Sequence, residues 1–265
     1  MPKVSVIVPV YGVEKYIERC ARSLFEQTLD DIEYIFIDDC TKDASIDVLN
    51  RVLVEYPQRK PQVLVHRMEH NSGTSLARKK GMEIATGEYV IHCDSDDWVD
   101  TDMYRAMYEK AVEENADMVI CDYYYTDGKS RTVSIGIPNN DTRQYWERMI
   151  IYGKWALWNR LVRRSVYMDN VAVLRYPKYS MAEDIVLSVQ FAILSKKICY
   201  LPKPFYYYYQ RLGSIARCYY GRNDEAAKHL FDESFENRRE LVCFLRNNNI
   251  DEYYVKMLYW SLSHE

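Results

Sequence analysis

Four apolar segments alternate with segments of helical periodicity in the first hundred residues, and this alternation constrains the fold more than any other feature. The apolar segments span residues 4–11, 34–37, 63–66 and 89–93. Apolar residues between them recur every three to four positions, as they do in amphipathic helices. Because the strands are apolar throughout rather than alternating, we predict an α/β, Rossmann-like architecture with a mostly parallel central sheet flanked by helices.

The same periodicity locates the helices and one further strand. Helices are predicted over 16–25, 46–53, 76–85 and 104–114, and a strand over 118–125. Gly87 stands where a helix commonly ends with a residue in the left-handed conformation. From residue 224 onward the pattern is helical and charged, and it reaches residue 265 without a clear terminator. This pattern predicts a helical C-terminal extension of a longer natural protein.

Polar side chains follow directly after three of these strands. Tyr11 ends the first, Asp38 and Asp39 follow the second, and the sequence Asp94-Ser-Asp-Asp97 follows the fourth. In open parallel sheets, ligands bind outside the carboxyl ends of the strands. We therefore expect a ligand site at that edge.

The segment Asp94-Ser-Asp-Asp97 places three carboxylates in one turn. Neighbouring carboxylates repel one another unless a proton or a cation intervenes. Mg²⁺ and Mn²⁺ prefer oxygen ligands, and such ions usually bind through one or two carboxylates together with substrate phosphates. The spacing therefore indicates a metal–diphosphate site. The alternative is a solvated Asp-rich turn that caps the helix beginning near Asp102.

One element of the second half carries a candidate acid–base group. Glu183 and Asp184 precede an apolar helical face. Ser180 and Glu183 have the spacing of a capping box, so helix capping explains Glu183 but leaves Asp184 without a structural role.

Composition excludes several classes of function. The net charge is −4 with a pI of about 5.8 and no basic tract, so nucleic acid is not an expected partner. The seven cysteines form no C-x-x-C pair, which favours a reducing compartment and argues against zinc. No signal peptide precedes the first strand and no apolar stretch reaches membrane-spanning length. We therefore expect a cytoplasmic protein without a transmembrane segment.

The first hundred residues resemble the nucleotide-binding half of the family 2 glycosyltransferases, which have the GT-A fold. The matching pieces, in order, are Val4-Ser-Val-Ile-Val-Pro-Val-Tyr11, Glu14-Lys-Tyr-Ile17, Ile37-Asp-Asp39, Thr41-Lys-Asp-Ala-Ser45, Asn71-Ser-Gly73, Ala77-Arg78, Ala85-Thr-Gly-Glu-Tyr89 and Asp94-Ser-Asp-Asp97. The sequence departs from the family pattern at Gly12, Cys40, Ala44 and Lys79.

The resemblance implies roles on the donor side. It implies that a nucleotide-sugar is bound by Pro9, Tyr11, Asp39, Arg78, Asp94, Ser95 and Arg211. Tyr11 would stack on the base and Asp39 would accept the uracil imide N–H. Arg78 would lie near the diphosphate or brace a carboxylate, and Asp94 would approach the ribose or a metal-bound water. The implied metal ligand is Asp96, and the implied cofactor is a divalent ion, Mn²⁺ or Mg²⁺.

The resemblance also implies roles on the acceptor side. Asp184 would be the catalytic base, with Glu183 as the alternative. The segment 155–161, with Trp155 and Trp158, resembles one that lies near the acceptor in this family, although aromatic core packing explains it equally well. We divide the chain into a nucleotide-sugar half (1–125), an acceptor half of the same domain (126–220) and the helical extension (221–265).

The implied activity is inverting, metal-dependent transfer of a hexosyl group from a UDP-sugar to a hydroxyl of a glycan or lipid-linked glycan, in bacterial surface polysaccharide synthesis. Such acceptors lie at the inner face of the membrane, so peripheral membrane association is compatible with this function. Two alternatives stay open. A sugar-1-phosphate nucleotidyltransferase would use a similar sheet and metal, and a non-catalytic module would bind nucleotide-sugars without transfer.

Overall fold

The computed structural model describes residues 1–138, 141–211 and 225–260, with residues 226, 227, 259 and 260 described by their backbone alone. The first half contains the strands β1 (Val4–Val10), β2 (Ile32–Asp38), β3 (Val63–Arg67), β4 (Tyr89–His92) and β5 (Trp98–Val99). The helices of this half are α1 (Ile17–Phe25), α2 (Ser45–Glu55), α3 (Thr74–Ile84) and α4 (Met103–Glu113), with a 3-10 helix over Pro57–Gln62.

The second half adds four strands and five helices within the described ranges. Its strands are β6 (Met118–Thr126), β7 (Arg131–Ser134), β8 (Arg160–Arg163) and β9 (Ile198–Tyr209). Its helices are α5 (Thr142–Tyr152), α6 (Arg164–Met168), α7 (Glu183–Leu194), α8 (Glu225–Asn247) and α9 (Glu252–Trp260). The predicted C-terminal extension is therefore helical where it is described.

The strands form one sheet in the order β3-β2-β1-β4-β8-β6-β9-β5, and β7 pairs with β6 beside this path. The first four strands are parallel, as predicted from their apolar character. The second half joins in mixed orientation: β8 runs antiparallel to β4 and β6, whereas β9 is parallel to β6. Because β1 and β4 lie side by side, the residues that follow them meet at one edge.

Helices cover both faces of the sheet. Successive residues of β1 point to opposite sides: Val6 belongs to the core formed with α1, α2 and α4, whereas Ile7 belongs to the core formed with α3, α5, α7, α8 and α9. None of the helices in the described part of the chain combines the length and apolar character that a membrane crossing requires.

Helix α3 lies unusually close to the sheet because Gly81 faces Ile7. A Cβ atom at position 81 would overlap the Ile7 side chain, and Gly81 is buried. One turn earlier on the same helix, Arg78 points toward the carboxyl edge of the strands.

The loop after β2 takes a conformation that a glycine adopts more readily. Cys40, at a position where the resembled family has glycine, has a φ of 60°. Asp38 orders this loop, because its Oδ1 accepts a hydrogen bond from the Thr41 N–H at 2.8 Å and its Oδ2 lies 2.8 Å from Arg67 Nη1.

Candidate active site

A cavity of about 610 Å³ opens at the carboxyl ends of β1, β2 and β4. All nine site residues singled out from the sequence line it: Pro9, Tyr11, Asp39, Arg78, Asp94, Ser95, Asp96, Asp184 and Arg211. They come from both halves of the chain. Convergence of residues so distant in sequence makes this cavity the candidate active site.

The Asp-rich turn divides its carboxylates between two environments. Asp94 and Asp96 line the cavity, whereas Asp97 is buried beneath them. Asp97 Oδ2 accepts a hydrogen bond from the Tyr206 hydroxyl at 2.7 Å, and Asp97 Oδ1 accepts one from the Tyr209 N–H at 2.7 Å. Asp97 therefore joins the turn to β9, and two of the three carboxylates of this turn line the cavity.

Asp94 and Asp96 are the residues that fit a divalent cation. Burial raises the pKa of Asp96, and the negative charge of Asp94 raises it further. Arg211 opposes this shift, because its Nε donates to Asp96 Oδ2 at 2.6 Å. No cluster of three or more His, Cys, Asp or Glu ligands occurs among the described residues. Two adjacent carboxylates nevertheless suit Mg²⁺ or Mn²⁺, which complete their coordination with water and substrate phosphates.

Arg78 connects the Asp-rich turn to the start of α7. Its guanidinium is buried, lies 2.5 Å from Asp94 Oδ1 through Nη2 and contacts Glu183 through Nη1. This is the bracing of a carboxylate that the sequence suggested as one of two roles for Arg78. It joins the two sides of the cavity.

Three carboxylates surround this one guanidinium, and burial raises the pKa of two of them, with a smaller contribution from their mutual repulsion. Burial raises the pKa of Glu183 to about 8; Arg78 opposes the shift, while the charges of Asp184 and Asp94 add to it. Burial also raises the pKa of Asp184, and Arg78 again opposes it. When one of two close carboxyl groups holds the proton, the other is free to act as a base.

Asp39 is fixed by the loop that precedes α3. Its Oδ1 accepts a hydrogen bond from the Ser72 N–H at 2.7 Å, and its Oδ2 accepts one from the Gly73 N–H at 2.8 Å. Tyr11 is 45% exposed on the same wall of the cavity. The wall therefore presents an aromatic ring and an oriented carboxylate.

The structure contradicts the capping box predicted at Ser180. Helix α7 begins at Glu183, and its N-cap residue is Ala182, which has a φ of 62°. The Ser180 hydroxyl instead accepts a hydrogen bond from the Thr74 N–H at 3.2 Å, at the start of α3. A contact between residues more than a hundred positions apart therefore replaces the local one.

Aromatic side chains also line the cavity. Trp158 is buried and stacks on Tyr206 with ring centroids 4.0 Å apart, so core packing explains its position. Trp155 is less buried and lines the cavity together with Tyr125 and Tyr152. Trp158 also lines the cavity, so both tryptophans border it, and the acceptor role of this segment stays a prediction.

Tyr125, Tyr152 and Arg238 also line the cavity but were not singled out from the sequence. Tyr152 is 64% exposed just before Gly153, the left-handed residue that ends α5. No helix was predicted here from the sequence, so neither the end of α5 nor the exposure of Tyr152 was available in advance. Arg238 lies within a charged helical segment, where nothing in the sequence distinguishes it.

The family model of glycosyl transferase family 2 matches residues 5–169, more than half of the chain. The chain belongs to this family. EpsH of Bacillus subtilis (strain 168), which is named as a glycosyltransferase, is 33% identical over 97% of the chain and 73% of its own length. The chain spans between about a third and three quarters of the length of the curated relatives it matches.

Solved structures show the GT-A fold of this family 2 glycosyltransferase. Staphylococcus aureus TarS residues 1–349, in complex with UDP-GlcNAc, match with a TM-score of 0.77 at 22% identity over 97% of this chain and 70% of TarS 1–349. The mannosyltransferase PcManGT of Pyrobaculum calidifontis, in complex with GDP-Man and Mn²⁺, matches with a TM-score of 0.59 at 14% identity over 100% of this chain and 76% of that one. At these identities the likeness concerns the fold alone.

Proposed function

We propose that this family 2 glycosyltransferase transfers a hexosyl group from a UDP-sugar to a hydroxyl of a glycan, with inversion and with a divalent cation. One observation carries the proposal. Asp94 and Asp96 of the Asp-rich turn and Asp184 of α7 line the same cavity of about 610 Å³. Pockets of this size accommodate compact organic ligands. Separate carboxylates for a leaving diphosphate and for an attacking hydroxyl are what a single displacement requires.

The wall formed by Tyr11 and Asp39 supports a uridine donor. Uracil presents an imide N–H between two carbonyl groups, which matches a carboxylate acceptor beside an aromatic ring. Asp39 is already oriented by two backbone N–H groups, so it loses little freedom when a base binds. Pre-organisation of this kind reduces the entropic cost of binding. The UDP-GlcNAc bound by TarS, which has the same fold, is consistent with this donor class.

Asp96 and Arg211 support a diphosphate subsite. When a divalent ion is bound there, it neutralises the charge that grows on the leaving diphosphate. Asp96 and Asp94 would hold the ion, and Arg211 would pair with a phosphate oxygen through the guanidinium that now contacts Asp96. Pro9 and Ser95 would line the floor beneath the nucleotide.

Asp184 supplies the base in this proposal. Its carboxylate takes the proton of the acceptor hydroxyl as the acceptor oxygen forms a bond to the anomeric carbon. The bond between that carbon and the phosphate oxygen breaks on the opposite face, and its electron pair leaves with UDP. Inversion follows from this single displacement, without a covalent intermediate.

The aromatic wall supports a glycan acceptor. Tyr125 and Tyr152 are 37% and 64% exposed, and Trp155 lies beside them. Exposed rings offer flat apolar surface with a polar edge, which suits the C–H face and the hydroxyl groups of a sugar ring. We propose that residues 126–220 form the acceptor half, after a donor half at 1–125, and that a surface or lipid-linked glycan is used on the cytoplasmic side.

The two alternatives receive less support. A nucleotidyltransferase needs a loop rich in glycine and arginine for a triphosphate, but the loop after β1 contains one glycine and no arginine before Arg19. A module that only binds nucleotide-sugars has no need of a carboxylate opposite the diphosphate subsite, yet Asp184 lines the cavity.

The deciding experiment is to incubate the protein with Mn²⁺, a panel of UDP-sugars and candidate glycan acceptors, and to analyse the products by mass spectrometry. We expect UDP and an acceptor heavier by one sugar. In a parallel incubation with added diphosphate, formation of UTP and sugar-1-phosphate from UDP-sugar would support the nucleotidyltransferase instead. Binding of UDP-sugar without either product would support the binding module.

A further inference from the structure

Helix α8 of the C-terminal extension reaches the loop that precedes the proposed base. Asn237, in the interior of α8, is 1% exposed. Its side-chain Nδ2 donates hydrogen bonds to the carbonyl oxygens of Tyr179 at 2.8 Å and Met181 at 2.7 Å. Its Oδ1 accepts a hydrogen bond from the Tyr179 N–H at 3.2 Å.

These contacts use both amide hydrogens and the amide oxygen of Asn237 on one backbone segment. The segment 179–182 has no regular secondary structure, so its backbone groups cannot bond to a neighbouring turn or strand. A primary amide is suited to this task because it donates and accepts at once. The Asn237 side chain therefore supplies the hydrogen bonds that a neighbouring strand would supply to this backbone segment.

The loop is also attached to the donor side of the cavity. Besides the hydrogen bond from the Thr74 N–H to Ser180, the Ser75 hydroxyl donates to the Pro177 carbonyl oxygen at 2.7 Å. The segment 177–182 is thus held between α3 and α8. These attachments are made by residues of α3 and α8, which are distant from Asp184 in sequence and do not belong to α7.

The last residue before α7 explains why such attachment is needed. Ala182 has φ 62° and ψ 22°, a left-handed conformation that residues with a Cβ rarely adopt. Unfavourable backbone conformations persist where the surrounding structure holds them, and they cluster at functional sites. Ala182 sets the direction in which Glu183 and Asp184 leave the loop.

We propose that Asn237 is a positioning residue for glycosyl transfer: it holds the segment 179–182 so that Asp184 faces the donor. This inference rests on the proposed function, in which Asp184 is the base. It assigns a catalytic contribution to the C-terminal extension, beyond the residues 5–169 that the family model matches.

The test compares three variants with the wild type. Asn237→Ala removes all three hydrogen bonds, and Asn237→Asp keeps the size and the acceptor but removes the two donors. Asn247→Ala makes the same chemical change at an exposed position of the same helix and serves as the control. For each protein, kcat and KM for transfer, the Kd of UDP by calorimetry and the Tm are measured.

We expect kcat to fall by about 10- to 100-fold in both Asn237 variants, the scale for misplacement of a catalytic group by roughly an ångström. The Kd of UDP should stay at the wild-type value, and Asn247→Ala should match wild type in every measurement. Wild-type kcat in folded Asn237→Asp would overturn the inference. The inference would also be overturned if weaker UDP binding alone accounted for the loss of transfer. If the wild type itself transfers no sugar, the proposed function has failed instead.

Discussion

The Tyr206 hydroxyl lies inside the Asp-rich turn and donates a hydrogen bond to Asp97 Oδ2 at 2.7 Å. The same hydroxyl accepts a hydrogen bond from the Asp94 N–H at 3.0 Å. One phenol on β9 therefore fixes both ends of the turn. Burial raises the pKa of Asp97 well above its usual range, and the charges of Asp96 and Asp94 raise it further. The turn is built around this contact, which directs Asp94 and Asp96 toward the cavity.

Replacing Tyr206 by phenylalanine should therefore destabilise the fold. The change removes the hydrogen-bond partner of Asp97 Oδ2 and of the Asp94 N–H, both in the buried part of the turn, which costs about 1–3 kcal/mol. The free energy of unfolding in urea measures this loss. Tyr207→Phe is the control, because the Tyr207 hydroxyl accepts only a 3.2 Å hydrogen bond from the exposed Arg131, and it should stay within about 0.5 kcal/mol of wild type. Equal losses in both variants would contradict a special role for Tyr206.

Asp96→Asn should remove most of the turnover and the dependence of UDP affinity on Mn²⁺. The amide keeps the size of the side chain but not the negative charge that a hard cation requires. Calorimetric titration of UDP with and without EDTA measures the effect. Asp102→Asn is a matched control, because the Asp102 side chain is exposed and pairs with Arg105. Wild-type UDP affinity that EDTA leaves unchanged would refute a metal at Asp96.

Asp184→Asn should lower transfer by about 100-fold or more, the scale of general-base catalysis, because an amide cannot take up the proton. UDP binding should remain near that of wild type. The neighbouring variant Glu183→Gln can still accept a hydrogen bond from Arg78, so its transfer should fall less. If Glu183→Gln abolishes transfer while Asp184→Asn retains it, Glu183 is the base.

Asp39→Ala should weaken UDP binding by about 1.5–3 kcal/mol, the contribution of a hydrogen bond to a charged group. The same change removes the acceptor of the Ser72 N–H and one of the two acceptors of the Gly73 N–H, so a fall in Tm would accompany it. CDP should bind poorly to the wild type, because cytosine has an unprotonated ring nitrogen where uracil has the imide N–H. Titrations of UDP, CDP and GDP in the presence of Mn²⁺ check the base preference. Tighter binding of GDP than of UDP would contradict a uridine donor.

Glu183 should make the stability depend on pH. Its pKa is raised from 4.5 to about 8 in the folded protein, chiefly by burial. Between these values the folded protein holds a proton that the unfolded chain has released, so the free energy of unfolding decreases as pH rises. One such proton contributes a slope of up to about 1.4 kcal/mol per pH unit. Urea unfolding between about pH 5 and pH 8 should show a shallower decline in Glu183→Gln. Identical slopes would contradict this prediction.

The sequence was sufficient to predict the parallel half of the sheet and the edge where the site lies. These features depend on local sequence patterns. Buried parallel strands are continuous apolar segments, and polar residues follow the end of each strand. The four strands around β1 and the positions of Asp39 and Asp94 follow from that information.

Other features depended on contacts between distant segments, which the sequence does not reveal. Ser180 and Glu183 had the spacing of a capping box, but the Ser180 hydroxyl instead accepts a hydrogen bond from the Thr74 N–H. The spacing grouped Asp97 with Asp94 and Asp96 in one turn, but Asp97 is buried and hydrogen-bonded to Tyr206. Asn237 gave no signal, because its partners are backbone groups more than fifty residues away.

The contact between Gly81 and Ile7 limits how this site can change. Arg78 has a side chain of fixed length, and it reaches Asp94 and Glu183 only because α3 lies against β1. Alanine at position 81 would add one methyl group that touches no substrate, yet it would move the helix outward and carry the guanidinium with it. The absence of a Cβ atom at Gly81, one helical turn away, therefore determines which carboxylates Arg78 can contact. Activity should be more sensitive than nucleotide binding to a change at this buried position.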